Sequence, residues 1–281
     1  MDTIFNGLND KILEMFTGWL ENAVDIFLQF IENVLLNYDG LAGIALNAYN
    51  LFVLLSGSLL VVICLTKVIT MLIGEADGSQ EANAWGIILD TIKAGMWLVL
   101  TPFIISVTMN IVRILCEYFF ADIGATLNEN IQVMVESENF KQAFDGLMSN
   151  LLVWLFVLIV VAFFVIKMFI AQANILFDEI LSPIIAVSIA SDNFDYTENW
   201  SRDILSHSVT IVVLVLSFAL FVESLSGVTE QGTIWNTLPM MIGSGALVIS
   251  GPTLVKNLWF TSGAGRTGQA VSRMLIRRLG R

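Results

Sequence analysis

The stretch Ala171–Arg202, AQANILFDEILSPIIAVSIASDNFDYTENWSR, decides how this chain is threaded. Before it lies the longest clean apolar run, Leu151 to Ile166, and after it another, Ile204 to Val222. A membrane span needs roughly 20 mostly apolar residues, and a run of about 10–14 suits a re-entrant or interfacial segment. Only Ile180 to Ala190 is uninterrupted by charge, and Pro183 sits inside it. Extending the run backwards draws in Asp178 and Glu179, each of which costs about 2.5–3.5 kcal/mol near the bilayer centre. The expectation is that Ala171–Asp192 is a helical turn-back that dips in and returns to the same side. Ser182 and Pro183 would break it, with the freed backbone groups buried in protein or facing water. Asp178, Glu179, Ser182, Pro183 and Trp200 are its expected structural residues.

The composition supports a membrane setting. The chain is 56% hydrophobic and only 14% charged, against about 25% charged in soluble domains. The two cysteines, Cys64 and Cys116, fall near different apolar runs and read as packed thiols rather than a disulfide. With a single histidine, His207, they are too few for a metal-site spacing, and no cofactor is expected. The first 36 residues are acidic with one basic residue, Lys11, so no cleavable signal is expected. The net charge of −12 is uneven, because no acid follows Glu230 while Lys256, Arg266, Arg273, Arg277, Arg278 and Arg281 do. By the positive-inside rule the C-terminus is expected in the cytoplasm.

An all-α architecture follows, a polytopic membrane protein with five transmembrane helices plus the re-entrant segment. Residues 1–40 are expected to be an external amphipathic helix, with Asp10, Glu14, Glu21, Asp25 and Glu32 on one face. A wet stripe on an ordinary surface helix fits that pattern equally. The membrane domain would occupy 41–260. Its spans are placed near Asn50–Ile73, Ala94–Val112, Leu151–Ile170, Ile204–Leu225 and Ile234–Ser250, with an external loop over 113–150 that is expected to be helical, since Ile123, Leu127, Ile131 and Met134 recur at helical spacing. Five spans put the N-terminus outside. A six-span thread has the same number of basic residues inside, so the choice rests on the weakness of Ala171–Ala190 as a span. Residues 261–281 form a basic cytoplasmic tail whose Arg273, Arg277 and Arg278 suit lipid headgroups or a cytosolic partner.

Several polar groups have two readings. Lys67, Lys93 and Lys167 lie near span ends and can snorkel to headgroups. They can also join Asp90, Asp178 and Glu179 in an ionic cluster bracing the turn-back against the first two spans. His207 is either a hydrogen-bonded residue near the interface or a proton-relay group. Pro239, Gly243, Ala246 and Ser250 share one side of the fifth span and suit close packing on a helix of this chain or of a neighbouring copy. The glycine-rich Gly263–Gly268 lacks the Gly-Lys-Ser/Thr ending of a phosphate loop. No constellation of nucleophile, base and metal ligand is visible, so no enzymatic activity is expected.

The order of elements, together with Leu181–Ile184 followed by Trp200, resembles the TrbL family, the polytopic inner-membrane subunit of type IV secretion and conjugation machines. Ser182 stands where that family's motif commonly has Ala. Gly251-Pro252 with Leu258-Trp259 is similar to a pattern in members from conjugative elements. The resemblance implies a non-enzymatic channel or scaffold subunit of the bacterial cytoplasmic membrane. It implies work with membrane lipid, other secretion subunits, a cytosolic ATPase and further copies of itself, with single-stranded DNA or relaxase as transient cargo. The short tail departs from members with large C-terminal domains. A small-solute or ion transporter is the alternative, for which broken helices are expected.

Overall fold

A computed structural model describes residues 41–78, 84–136, 147–191, 195–227 and 234–251, with Lys11, Met15, Gly18, Trp19 and Asn22 as helical positions in the N-terminal region. The expected helix over 1–40 thus lies largely outside the described residues, and the tail with Arg273, Arg277 and Arg278 lies wholly outside them. Five helices order the described part: α1 (Gly43–Ala76), α2 (Ala84–Glu136), α3 (Leu147–Ser188), α4 (Thr197–Gly227) and α5 (Ile234–Ser250). Four of them contain segments long and apolar enough to cross a membrane: Gly43–Ala76, Ala84–Phe119, Leu151–Ser188 and Thr197–Leu225. With 17 residues, α5 is at the short end of the spanning range.

The principal correction concerns α3. Its 42 residues run without interruption from Leu147 through Pro183 to Ser188. The expected break at Ser182 and Pro183 is absent. A proline deprives only the carbonyl four residues back, here that of Glu179, of its N–H, and the helix continues around it. The reversal comes later, where the Ala190 and Ser191 amides bond the Val187 and Ser188 carbonyls at 3.0 and 2.9 Å. Within the expected external stretch α2 continues as helix to Glu136, in keeping with the helical spacing of its apolar residues.

The core follows from spacing. On α4, Ile204, Ile211, Phe218 and Leu225 recur every seven residues, interleaved with Leu214 and Phe221, and all are buried. On α3, Trp154, Val157, Val161, Phe164, Met168, Ala171 and Ile175 repeat at intervals of three and four. This is the seam of helices packed at a shallow angle. Phe164 stacks on Phe218 with centroids 4.4 Å apart, and Phe156 meets Phe221 edge-on at 6.2 Å. Ile105, Met109, Val112 and Cys116 of α2 close the core from another side. In the apolar window of α4, 56% of residues are buried, against 6% in α1, so α4 is the central helix and α1 the peripheral one.

Within the chain α5 packs by a face other than its small-residue one. Pro239, Gly243, Ala246 and Ser250 are all exposed. Met241, Ser244, Gly245 and Val248 turn inward instead. Gly245 is the close-approach point, since a Cβ there would lie 2.7 Å from the Phe156 ring and 3.0 Å from Val160. At its far end α5 stops at Gly251, in the left-handed region at φ +67°. The Lys167 ammonium donates to the Ile249 carbonyl there, placing a cation at a helix C-terminus.

Lys67 of α1 pairs with Asp90 of α2 at 3.0 Å, and Lys93 approaches the same carboxylate at 3.6 Å. With the turn at Asp77 and Gly78, this makes α1 and α2 antiparallel. Residues 137–146 can span at most about 36 Å, so α3, which packs on α2, must return antiparallel to it. Helices α1 and α3 therefore point the same way. Glu179 lies within electrostatic reach of the Tyr49 hydroxyl. The expected threading put the start of the first span outside and Glu179 inside, a bilayer apart, whereas here they are neighbours. From that level α3 has nine residues left and α1 has 27, so α1 overhangs the tip of α3 by about 27 Å.

Two outcomes check this arrangement. Gly245→Leu should lower the unfolding midpoint of the solubilised protein, by overpacking worth about 1–3 kcal/mol, whereas Gly243→Leu, with nothing within 4 Å, should not. In a cysteine-free background, Tyr49→Cys paired with Glu179→Cys should cross-link with a short bismaleimide. Tyr49→Cys paired with Leu151→Cys should not, and the reverse pattern would refute the register.

Candidate functional site: the polar hairpin of α3 and α4

Beyond the expected third span, α3 continues from Ala171 to Ser188, and α4 returns beside it from Thr197. Polar groups set this hairpin. The Ser188 hydroxyl donates to the Ile185 carbonyl at 2.6 Å and accepts the Tyr196 amide at 3.1 Å. Asp195 Oδ1 accepts the Thr197 N–H at 2.9 Å, satisfying one of the amides that a helix start leaves open. The Trp200 amide, bonding the Tyr196 carbonyl at 3.0 Å, closes the first turn.

Trp200 locks the two helices together. Its side chain is buried, and Nε1 donates to the Asp178 carbonyl at 3.0 Å. An indole supplies large apolar area and one donor, and this geometry uses both. The contact fixes the α3–α4 register, which then carries through to Phe164 on Phe218. The Asp178 and Asp203 carboxylates come within electrostatic reach of each other across the hairpin. Ser182 is buried one turn beyond Asp178 on the same face of α3. Pro183, also buried, sits beside it. Glu179 is buried and turned toward α1. On α4, Ser206, Ser208 and Thr210 are buried and His207 is half-buried.

The five residues expected to shape the turn-back thus gather in one hairpin, although the hairpin is made of two long helices. Of the expected ionic brace, one group of members comes together and one lysine is used elsewhere. Lys67 and Lys93 meet at Asp90, and Lys167 reaches α5. Sequence reasoning missed Asp203 and Tyr49. Asp203 was visible as the residue one turn after Trp200, but its facing Asp178 required the register. Among the described residues no group of three or more His, Cys, Asp or Glu side chains could hold a metal ion. Arg202 pairs with Glu198 along α4, outside the hairpin's inner face.

Trp200→Phe keeps the ring and removes the donor, and should destabilise by about 0.5–1.5 kcal/mol. Trp200→Ala should cost about 3–5 kcal/mol, as large-to-small changes in packed cores do. Thermal unfolding of the solubilised chain distinguishes the two, and a wild-type midpoint for Trp200→Phe would remove the hydrogen bond from this account.

Comparison with known proteins gives a single finding. A family model described as conjugal transfer protein TrbL matches residues 1–279. No curated protein and no solved structure matches. The match covers all five helices and the connection of the hairpin, and it agrees with described residues that are helical and carry membrane-length apolar segments. The chain belongs to the TrbL family of conjugal transfer proteins.

Proposed function

We propose that this chain is a non-enzymatic channel or scaffold subunit of a conjugative type IV secretion machine in the bacterial cytoplasmic membrane. The observation that carries this reading is the family match over residues 1–279. The structure adds a physical rationale. A long polar-ended hairpin, braced by Trp200, gives a rigid platform beyond the apolar part of α3, where soluble or membrane partners can bind. The exposed face of Pro239, Gly243, Ala246 and Ser250 suits close contact with a neighbouring copy in lipid, where small residues let helix backbones approach.

In this proposal a cytosolic ATPase and other membrane subunits drive transfer, and single-stranded DNA with its relaxase is the cargo. The basic tail with Arg273, Arg277 and Arg278 lies on the cytoplasmic side against anionic lipid or the ATPase. The net charge of −12 argues that DNA is passed along rather than held, since affinity for phosphate backbones comes chiefly from Lys and Arg.

Deleting the gene from its mobile element and scoring mating tests the proposal. Transfer should fall to the detection limit, return with the intact gene in trans, and return poorly with Trp200→Ala. Growth should be unchanged. Undiminished transfer in the deletion would point instead to a solute or ion transporter that merely accompanies the element.

A further inference from the structure

Helices α1 and α2 carry charge-free runs of about membrane length. Gly43 to Thr66 of α1 holds no acid or base and rises about 36 Å. Ala94 to Val112 of α2 holds none either and fills the roughly 30 Å between Lys93 and Arg113. The hydrocarbon of a bilayer is about 30 Å thick, so the charges that close these runs fall at headgroup depth. At one end the two runs close at a common level. Lys67 Nζ meets Asp90 Oδ2 at 3.0 Å, and Lys93 Nζ stands 3.6 Å from Asp90 Oδ1. Trp85, about two turns beyond Lys93 toward the start of α2, is exposed, as suits an indole at a headgroup boundary.

The charges at that level do not cancel. Two ammonium groups share a single carboxylate, which leaves one positive charge over. At the other end of the α2 run Arg113 meets Glu117 one for one, at 3.6 Å. Along α1 the next acids, Glu75 and Asp77, stand about 12 and 15 Å further on by helix rise. Lys67 is the inner member of the group, with 15% of its side chain exposed, and Lys93 the outer one at 61%. Asp90 holds Lys67 and so leaves the surplus on the exposed side, at Lys93. Below Lys93 on α2, three and seven residues on, Met96 and Leu100 are exposed and make an apolar track from the ammonium into the hydrocarbon. A cation with bare apolar surface beneath it matches a molecule with an anionic head and an oily chain.

We infer that Lys93 and Lys67, held together by Asp90, bind the phosphate of an anionic phospholipid whose acyl chain lies along Met96 and Leu100. The attraction is that of a basic side chain for an anionic membrane surface, focused on one headgroup by the shared carboxylate. A zwitterionic lipid carries its own cation beside the phosphate, which offsets the attraction. A free phosphate meets the charge but leaves the apolar track uncovered. The bound headgroup neutralises the surplus and holds α1 and α2 at one depth. Lysines that merely reach for water would need neither the register of two helices nor the acid between them.

Native mass spectrometry reads the site directly. The full-length chain is released from micelles that hold equal amounts of phosphatidylglycerol and phosphatidylcholine with the same acyl chains. Phosphatidylglycerol should be retained in preference. Lys93→Gln should weaken its retention about five-fold, the effect of one basic charge near a membrane surface. Lys93→Arg should keep it. Lys93 is exposed, so neither change disturbs the packing. Arg202→Gln removes the same charge from the Arg202–Glu198 pair on α4 and should leave retention as it is. Equal retention of the two lipids overturns the inference. So does an equal loss in Lys93→Gln and Arg202→Gln, which would mean that overall charge governs binding. Displacement of the lipid by millimolar inorganic phosphate also overturns it, since the lysines would then hold a soluble anion.

Discussion

One hydrogen bond between an indole and a backbone carbonyl sets the register on which the rest of the bundle depends. Trp200 on the Asp178 carbonyl fixes where α4 starts along α3. Every later contact between those helices inherits that register, down to the phenylalanine stack some twenty-seven ångströms away by helix rise. Because α4 is enclosed by α2, α3 and α5, an error of one residue there would turn Ile204, Ile211, Phe218 and Leu225 out of the seam together. A donor able to reach only one carbonyl is a better guard against such slippage than apolar packing, which tolerates many registers.

The polar ends of the helices are handled by a few economical devices. Lys67 and Lys93 share Asp90 where α1 meets α2. Lys167 reaches across from α3 to close the end of α5, and Gly251 leaves room for it, since a Cβ there would meet the ammonium group. In hydrocarbon an open carbonyl is far more costly than in water, so tying one helix's end with a neighbour's side chain also ties the two helices together.

Much of this was legible in the sequence. Apolar length and low charge marked the membrane-length helices, and the same residues that looked like a turn, Asp178 through Trp200, are where the chain reverses. The failure was at Pro183. Proline is a reliable breaker in water, where a freed carbonyl can be solvated and the chain can leave the helix at little cost. Between packed neighbours the helix loses more by breaking than by forgoing one bond, so it carries on to Ser188. The face by which α5 packs within the chain was not legible for a related reason. Small residues permit close packing without requiring it, and which small residue is used depended on Phe156, whose position no local pattern reveals. Pairing of Asp178 with Asp203 lies beyond any local reading, because it is set by the register of two helices.

The overhang of α1 has a bearing on how such a molecule meets lipid. The apolar middle of α1 and that of α3 are separated along the bundle by a distance on the order of 40 Å, whereas the oily layer of a membrane is about 30 Å deep. A flat sheet of lipid cannot wet both belts of one isolated chain at once. Whichever belt lies outside the oil must be sheathed, by another protein or by a leaflet that climbs to meet it. Stepped hydrophobic girdles of this kind belong to a part shaped for its place in a larger wall rather than for life alone.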